Sequence, residues 1–389
     1  MGLNDNASCN LQRREVLSIT AKEHIEANNF ISSQITDLPA LHSHCIDDHR
    51  HIKVICIGAG FPGILAGIRF PQRISDLDLK IYEKNPEVGG TWYENKYPGV
   101  RCDVPSAAYQ YTFESNSQWS EYYCRGAEIN EYIKRTARNY GVDRYITFKT
   151  EFLGSTWHES DGEWEVFLQD LTSGKQFTDR CNFLVTATGI LNKWKLPDIE
   201  GREIYKGRMV HSANWDPDLT VEIMKGGNVA LIGAGSFGIQ ILPQIQPVAV
   251  RVDYYMASKT WISPVGFGSE EPKNRGVTGN FKHSTEELDT FRKDPKAYAA
   301  FRFKIEKMVN AAALITLYGS PIQQLFQNVD REAMMKKLER KPEIMEALKP
   351  KWPLGYRRLT PGPGYLEALV EDNVNFISTK IKRFTENGI

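Results

Sequence analysis

Short apolar runs that end in glycine set the pattern of this chain. Ile52-Lys53-Val54-Ile55-Cys56-Ile57 is nearly continuous, which predicts a strand buried on both faces. It feeds directly into Gly58-Ala59-Gly60-Phe61-Pro62-Gly63, and Ile64–Phe70 is compatible with a helix. The alternating run Leu77–Tyr82 predicts a second strand, and Glu83 stands at its tip. The same order recurs 175 residues later, where Asn228–Ile232 enters Gly233-Ala234-Gly235-Ser236-Phe237-Gly238. Val250–Tyr255 predicts the strand after it. Between the two units, Phe183–Thr186 reads as a buried strand that closes the first sheet and ends in Ala187-Thr188-Gly189. Helix formers dominate residues 283–349. Phe301, Ile305, Met308 and Ala312 fall there at helical spacing, a core-facing stripe that predicts a helical insertion in the second domain. Residues 266–282 are polar and glycine-rich without a period, which predicts a long loop suited to covering a site. Residues 1–50 predict a polar extension, part helical near Glu15–Asn28.

Each glycine in the first turn has a physical reason. Gly58 permits the tight turn, Gly60 lets a pyrophosphate approach the backbone, and Gly63 lets helix and strand pack closely. The helix start then offers free N–H groups and a positive dipole end to the phosphates. Glu83 lies 20 residues past Gly63, where a carboxylate accepts hydrogen bonds from ribose hydroxyls. Strand, spacing and acid together make a full dinucleotide fingerprint. The second unit lacks an acid after Val250–Tyr255 and carries Met256-Ala257-Ser258-Lys259 instead. A carboxylate there would repel a 2′-phosphate, and Lys259 would attract one. Two such sites predict two dinucleotides, the pattern of a flavoprotein reduced by a nicotinamide cofactor.

Composition narrows the class. The 389 residues carry 48 basic and 48 acidic side chains, so no basic footprint supports nucleic-acid binding. At 41% hydrophobic and 25% charged, the chain has enough apolar surface to build cores. No apolar run reaches ~18 residues, so no spanning helix is expected. The N-terminus lacks the apolar stretch of a secretory signal. The six cysteines form no C-x-x-C pair, which predicts a reduced, intracellular, cytoplasmic protein. His42, His44, Cys45, His49 and His51 have metal-like spacing, but no further ligand completes a set, so they read as a solvated linker and no metal is expected.

Residues 89–113, GGTWYENKYPGVRCDVPSAAYQYTF, are dense in aromatic, glycine and charged positions, which suits a flat ring system close to backbone. With Tyr205-Lys206-Gly207-Arg208-Met209-Val210-His211-Ser212-Ala213-Asn214-Trp215-Asp216, the chain resembles the Baeyer–Villiger monooxygenases. That segment is similar to their fingerprint F-x-G-x-x-x-H-x-x-x-W-[PD], with Tyr205 in place of Phe. Gly89-Gly90-Thr91-Trp92, Tyr97-Pro98-Gly99, Arg101-Cys102-Asp103, Ala187-Thr188-Gly189 and Leu354-Gly355-Tyr356-Arg357-Arg358 add to the resemblance. Trp261–Pro264 and Thr360–Tyr365 resemble fungal members that act on secondary metabolites. The resemblance covers roughly residues 45–389.

It implies FAD and NADPH as cofactors, a small-molecule ketone and O2 as substrates, and an ester or lactone as product. It makes Arg358 the fixed cation beside the reacting oxygen and Asp103 the carboxylate that orients it. It implies FAD contacts at Gly58, Gly60, Gly63, Glu83, Gly90, Thr91, Trp92, Asp103, Val104 and Tyr109. It implies NADP contacts at Arg101, Cys102, Gly233, Gly235, Ser236, Phe237, Gly238, Gln240, Ser258, Lys259 and Arg357. His211 matches a residue tying the two domains together. Ala257 departs from the family, which has an arginine there, so one clamp on the 2′-phosphate is missing. Relatives continue by more than a hundred residues, and that returning piece is expected to close the flavin site.

The expected architecture is α/β, with two Rossmann-like dinucleotide-binding domains. Residues 51–190 form the N-terminal part of the FAD domain. Residues 191–380 form the NADP domain with its helical insertion, and 381–389 begin the return. Two other readings stay open: a flavin monooxygenase that hydroxylates or epoxidises a small molecule, and a truncated, non-catalytic remnant that binds a dinucleotide or a partner.

Overall fold

The computed structural model describes residues 49–256, 258–263, 270–277 and 279–389. The extension with His42, His44 and Cys45, as well as Ala257, lies outside the described residues. The chain runs through β1 (Ile52–Ile57), α1 (Phe61–Arg73), β2 (Leu77–Tyr82), α2 (Gly126–Asn139) and β3 (Ile146–Thr147). It then makes β4 (Thr150–His158), β5 (Glu163–Asp170) and β6 (Gln176–Cys181), and returns as β7 (Phe183–Thr186). The first sheet is parallel in the order β3-β2-β1-β7.

Alternation along β1 explains why the sheet is covered on both faces. Val54 and Cys56 join Ile64, Ile81, Ile129 and Ile133 in a core under α1 and α2. Ile55 and Ile57 point the other way, against Val166, Leu168 and Cys181 of the antiparallel β4–β5–β6 meander. Asp179 of β6 fastens that layer, accepting from Lys53 Nζ at 2.5 Å and from Tyr82 OH at 2.8 Å.

The second sheet repeats the pattern. β8 (Asn228–Ile232), α3 (Ser236–Ile245) and β9 (Arg251–Tyr255) form its strand–helix–strand unit. After the pair β10 (Ile262–Ser263) and β11 (Thr360–Pro361), β12 (Val374–Ile377) completes a parallel order β12-β9-β8. Its core joins Ile239, Leu242 and Ile245 of α3 to Val252 and Tyr254 of β9. Both sheets are Rossmann-like, as the repeated glycine turns predict.

Helices fill the span between β10 and β11: α4 (Thr285–Lys293), α5 (Pro295–Ala311), α6 (Pro321–Lys337) and α7 (Glu343–Leu348). The expected stripe does not belong to the second domain alone. Phe301, Ile305 and Met308 of α5 pack on the first core, and only from Ala312 onward does the chain serve the second. The stripe shows that a face is buried but not which core buries it.

The expected loop over 266–282 also needs correction. Residues 266–269 and 278 lie outside the described residues, but the rest is anchored. Glu270–Asn274 is a helix whose buried Glu271 holds Arg275 at 3.0 Å and Lys304 at 2.6 Å. Phe281 stacks on Tyr122, and its carbonyl accepts from Tyr122 N at 2.9 Å. Ion pairs and one aromatic ring hold this segment, and neither leaves a periodic trace. Among the described residues, no helix is long and apolar enough to cross a membrane.

Candidate active site

β1 delivers the chain into a turn that only glycine can make. Gly58 has φ +105°, and a Cβ there would sit 2.6 Å from the Ala187 carbonyl oxygen at the end of β7. A Cβ on Gly63 would lie 1.9 Å from the Gly58 oxygen, so α1 packs directly on its own turn. Gly60 faces Gly90, whose φ is +53°, and these two bare backbones leave a side-chain-free surface above the start of α1. The first turn of α1 carries no acidic residue, so its positive end is available to an anion. Glu83 is buried beside it. Its Oε2 accepts from Ala59 N at 2.7 Å and its Oε1 from Asn85 N at 2.8 Å, and each oxygen keeps a further lone pair.

Aromatic rings wall this cradle. Trp92 Nε1 donates to Tyr109 OH at 3.2 Å, and Tyr109 meets both Trp92 and Phe61 edge-to-face at 5.4 Å. Phe61 was not expected, although it sits inside the glycine motif, because the motif's logic concerns backbone. Thr91 begins the short helix Thr91–Glu94 that carries Trp92, and Val104 follows Asp103 half-buried.

Asp103 and Arg358 meet across 255 residues of sequence. Arg358 Nε donates to Asp103 Oδ2 at 2.8 Å, and Nη2 donates to Oδ1, so the fork is bidentate. The hydrogen bond to Asp103 raises the Arg358 pKa further above its ordinary value, against the opposing effect of burial. Burial raises the Tyr109 hydroxyl too, with Trp92 and Arg358 pulling the other way. The pair therefore presents a permanent cation in fixed orientation beside the aromatic wall.

The second glycine turn copies the first. Gly233 also has φ +105°, and a Cβ on Gly238 would lie 2.1 Å from the Gly233 oxygen. Above it, no described atom comes within 4 Å of a Cβ placed on Gly233 or Gly235. The first turn of α3 has no acidic residue either. An open cradle at a helix start fits a diphosphate.

Other expected contacts have different partners. Cys102 is buried with its thiol against Ser106 Oγ and the Cys124 carbonyl, each at 3.6 Å, and burial pushes its pKa up to about 12. Arg101 turns to Glu121 at 3.0 Å and to the Tyr123 carbonyl at 3.3 Å. Gln240 binds inward: its Oε1 accepts from Tyr97 OH at 2.8 Å, and its Nε2 donates to the Arg101 carbonyl at 3.1 Å. Phe237 packs on Tyr97 at 5.1 Å. Gln240 and Tyr97 thus tie α3 to the segment carrying Asp103, a role that no spacing announces. Ser258 is exposed past β9. Lys259 Nζ donates to the Glu346 carbonyl at 2.8 Å, and the Arg357 guanidinium lies 4.5 Å over the Trp352 ring. His211 stacks on Trp194 at 5.1 Å, and burial lowers its pKa.

Residues 51–283 match the family model described as "FMO-like: Flavin-binding monooxygenase-like". The chain is 38% identical over 341 residues to the FAD-binding monooxygenase tazF of Aspergillus terreus, covering 87% of this chain and 60% of that protein. It is 31% identical over 340 residues to a Baeyer-Villiger monooxygenase of Pseudomonas aeruginosa, again 87% of this chain and 60% of the relative. The chain therefore spans about three fifths of the length of these curated relatives. Among solved structures it is similar to OTEMO in complex with FAD and NADP, with TM-score 0.71 and 25% identity, covering 88% of this chain and 68% of that one.

Proposed function

The chain belongs to the flavin-binding monooxygenase-like family, and on that premise we propose that it is an FAD-dependent, NADPH-reduced monooxygenase. The proposed reaction inserts one oxygen atom of O2 beside a ketone carbonyl, giving an ester or lactone in secondary-metabolite biosynthesis. Gly58, Gly60, Gly63 and Glu83 would hold FAD, with Gly90, Thr91, Trp92, Val104 and Tyr109 around its ring system. The residues fit the group, because the facing glycines leave bare backbone at a helix start with an aromatic wall beside it. Gly233, Gly235, Ser236 and Gly238 would hold the diphosphate of NADPH, and Ser258, Lys259 and Arg357 would take its 2′-phosphate. When bound and reduced, the flavin supplies the electrons that activate O2.

The Asp103–Arg358 fork is the observation that carries this reading. Attack on a carbonyl needs an oxygen nucleophile that keeps its negative charge. A guanidinium stabilises that charge without giving up a proton at neutral pH. Asp103 fixes the orientation of Arg358, so little reorganisation is needed during reaction.

The test is Arg358→Ala with NADPH and a panel of ketones. The variant should still bleach the oxidised-flavin band with NADPH, but ester formation should fall by at least ~10²-fold. Ester yield equal to wild type would overturn the assignment. Hydroxylated or epoxidised products from wild type, without ester, would move the reaction to another branch of the family.

A further inference from the structure

A second cleft lies outside both glycine turns. Its narrow inner end, with about 50 Å³ of room, touches Ile239 and Pro243 of α3 and Pro361 of β11. It opens into a mouth of about 440 Å³ lined by Arg101, Glu121, Arg125, Gln244, Asn280 and Lys282. Ile239, Pro243 and Gln244 lie one to two turns into α3, so the cleft is separate from the cradle at that helix's start.

Three cations meet one carboxylate in the mouth, a surplus of two positive charges. The carboxylate is already occupied. Buried Glu121 accepts from Arg101 Nη1 at 3.0 Å and from Asn280 Nδ2, and lies 3.6 Å from Arg125 Nε. It spaces the two guanidinium groups and offsets one positive charge of the three. The Lys282 ammonium and the Gln244 amide make no hydrogen bond or ion pair among the described residues, and both are exposed toward solvent. Arg125 also stands at the start of α2, which adds a positive dipole end.

We propose that this cleft binds a phosphate dianion, with Arg101, Arg125 and Lys282 supplying charge and Gln244 supplying an amide donor. Two surplus charges match a dianion, and guanidinium forks suit phosphate oxygens. The group arrives either as a free phosphate or phosphate monoester, or as the 2′-phosphate of the nicotinamide dinucleotide. The free-ligand arm does not depend on the monooxygenase reading, because neither the charges nor the cleft involve the flavin cradle. The dinucleotide arm rests on that reading and would move the 2′-phosphate from Lys259 and Arg357 to this cleft, whose inner end Arg101, Cys102 and Gln240 also line.

The experiment is calorimetric titration of inorganic phosphate into the full chain at low ionic strength, repeated on Arg125→Gln/Lys282→Gln. Both side chains are exposed, so the thermal midpoint should not change. Wild type should bind phosphate, and the double variant should bind it about tenfold more weakly. Repeating the titration with NADP+ and with NAD+ identifies the source. Competition by NADP+ alone assigns the site to the 2′-phosphate, and unchanged phosphate binding assigns it to a free ligand. No phosphate binding by wild type, or equal binding by the folded double variant, would overturn the proposal.

Discussion

Backbone sterics dominate at the scale of the residue. Gly58 combines a positive φ with a carbonyl oxygen 2.6 Å from where a Cβ would be placed, so both strain and clash oppose any side chain. Gly58→Ala should cost about 3 kcal/mol or more by denaturant unfolding and should abolish flavin retention. Full retention with unchanged stability would mean that the turn can relax. Asp330 presents the opposite problem, an acid in the wrong solvent. It is 2% exposed, its Oδ2 has no hydrogen-bond partner in the structure, and burial, opposed by Ser263, raises its pKa to about 7. Between its ordinary value of 3.8 and about 7, the native state holds a proton that the unfolded chain has released. Stability should therefore fall as pH rises through that window and level off above it. Asp330→Asn cannot ionise. Its advantage over wild type should grow by about 1–3 kcal/mol between pH 5 and pH 8. A pH-independent difference between the two would show that Asp330 ionises normally.

At the scale of the element, the sequence declares strands and turns more plainly than their partners. β1 and β8 were legible as apolar runs that enter a glycine turn, β2 from its alternation, and β9 as the strand that follows the second turn. The glycine turns carry the phosphate cradles for the same reason. Which core α5 covers was not legible, because Phe301 and Ile305 look alike against either sheet. The Asp103–Arg358 fork was reached only through resemblance, since a separation of 255 positions erases any spacing signal. The Gln240–Tyr97 tie left no signal of its own, because an amide in a helix and a tyrosine in a loop are unremarkable apart. Lys259 is the instructive case. The missing acid after β9 pointed to it as a phosphate partner, yet its ammonium sits on the last turn of α7, on the Glu346 carbonyl. If it leaves that carbonyl to hold a 2′-phosphate with Arg357, then Lys259→Gln/Arg357→Gln should raise KM for NADPH about tenfold more than KM for NADH. Equal changes for the two cofactors would leave Lys259 only as a helix-end contact.

At the scale of the whole molecule, each sheet ends in an exposed edge strand. β7 stands at one end of the first sheet and β8 at one end of the second. β8 holds in the second sheet the place that β1 holds in the first, but without a described counterpart of β7 beside it, so β7 and β8 are the two edge strands on that side. Their exposure reflects it: Phe183 on β7 is 59% exposed, Ile232 on β8 is 43% exposed, and Ile190 beyond β7 is 98% exposed. Gly58 is crowded by Ala187 just after β7, whereas a Cβ placed on Gly233 would meet no described atom within 4 Å, because no described strand flanks β8 there. An edge that combines free backbone groups with large apolar side chains pairs with whatever strand it meets. The 389-residue chain should therefore associate as its concentration rises. Placing one charge on each edge, Phe183→Lys/Ile232→Lys, should shift sedimentation toward the monomer, since a lysine must be desolvated in any edge-to-edge pair. Neither side chain belongs to a cradle or to the Asp103–Arg358 fork, so flavin retention should be unchanged. A wild-type chain that stays monomeric at high concentration would show that these edges do not drive association, and so would a double variant that associates equally well.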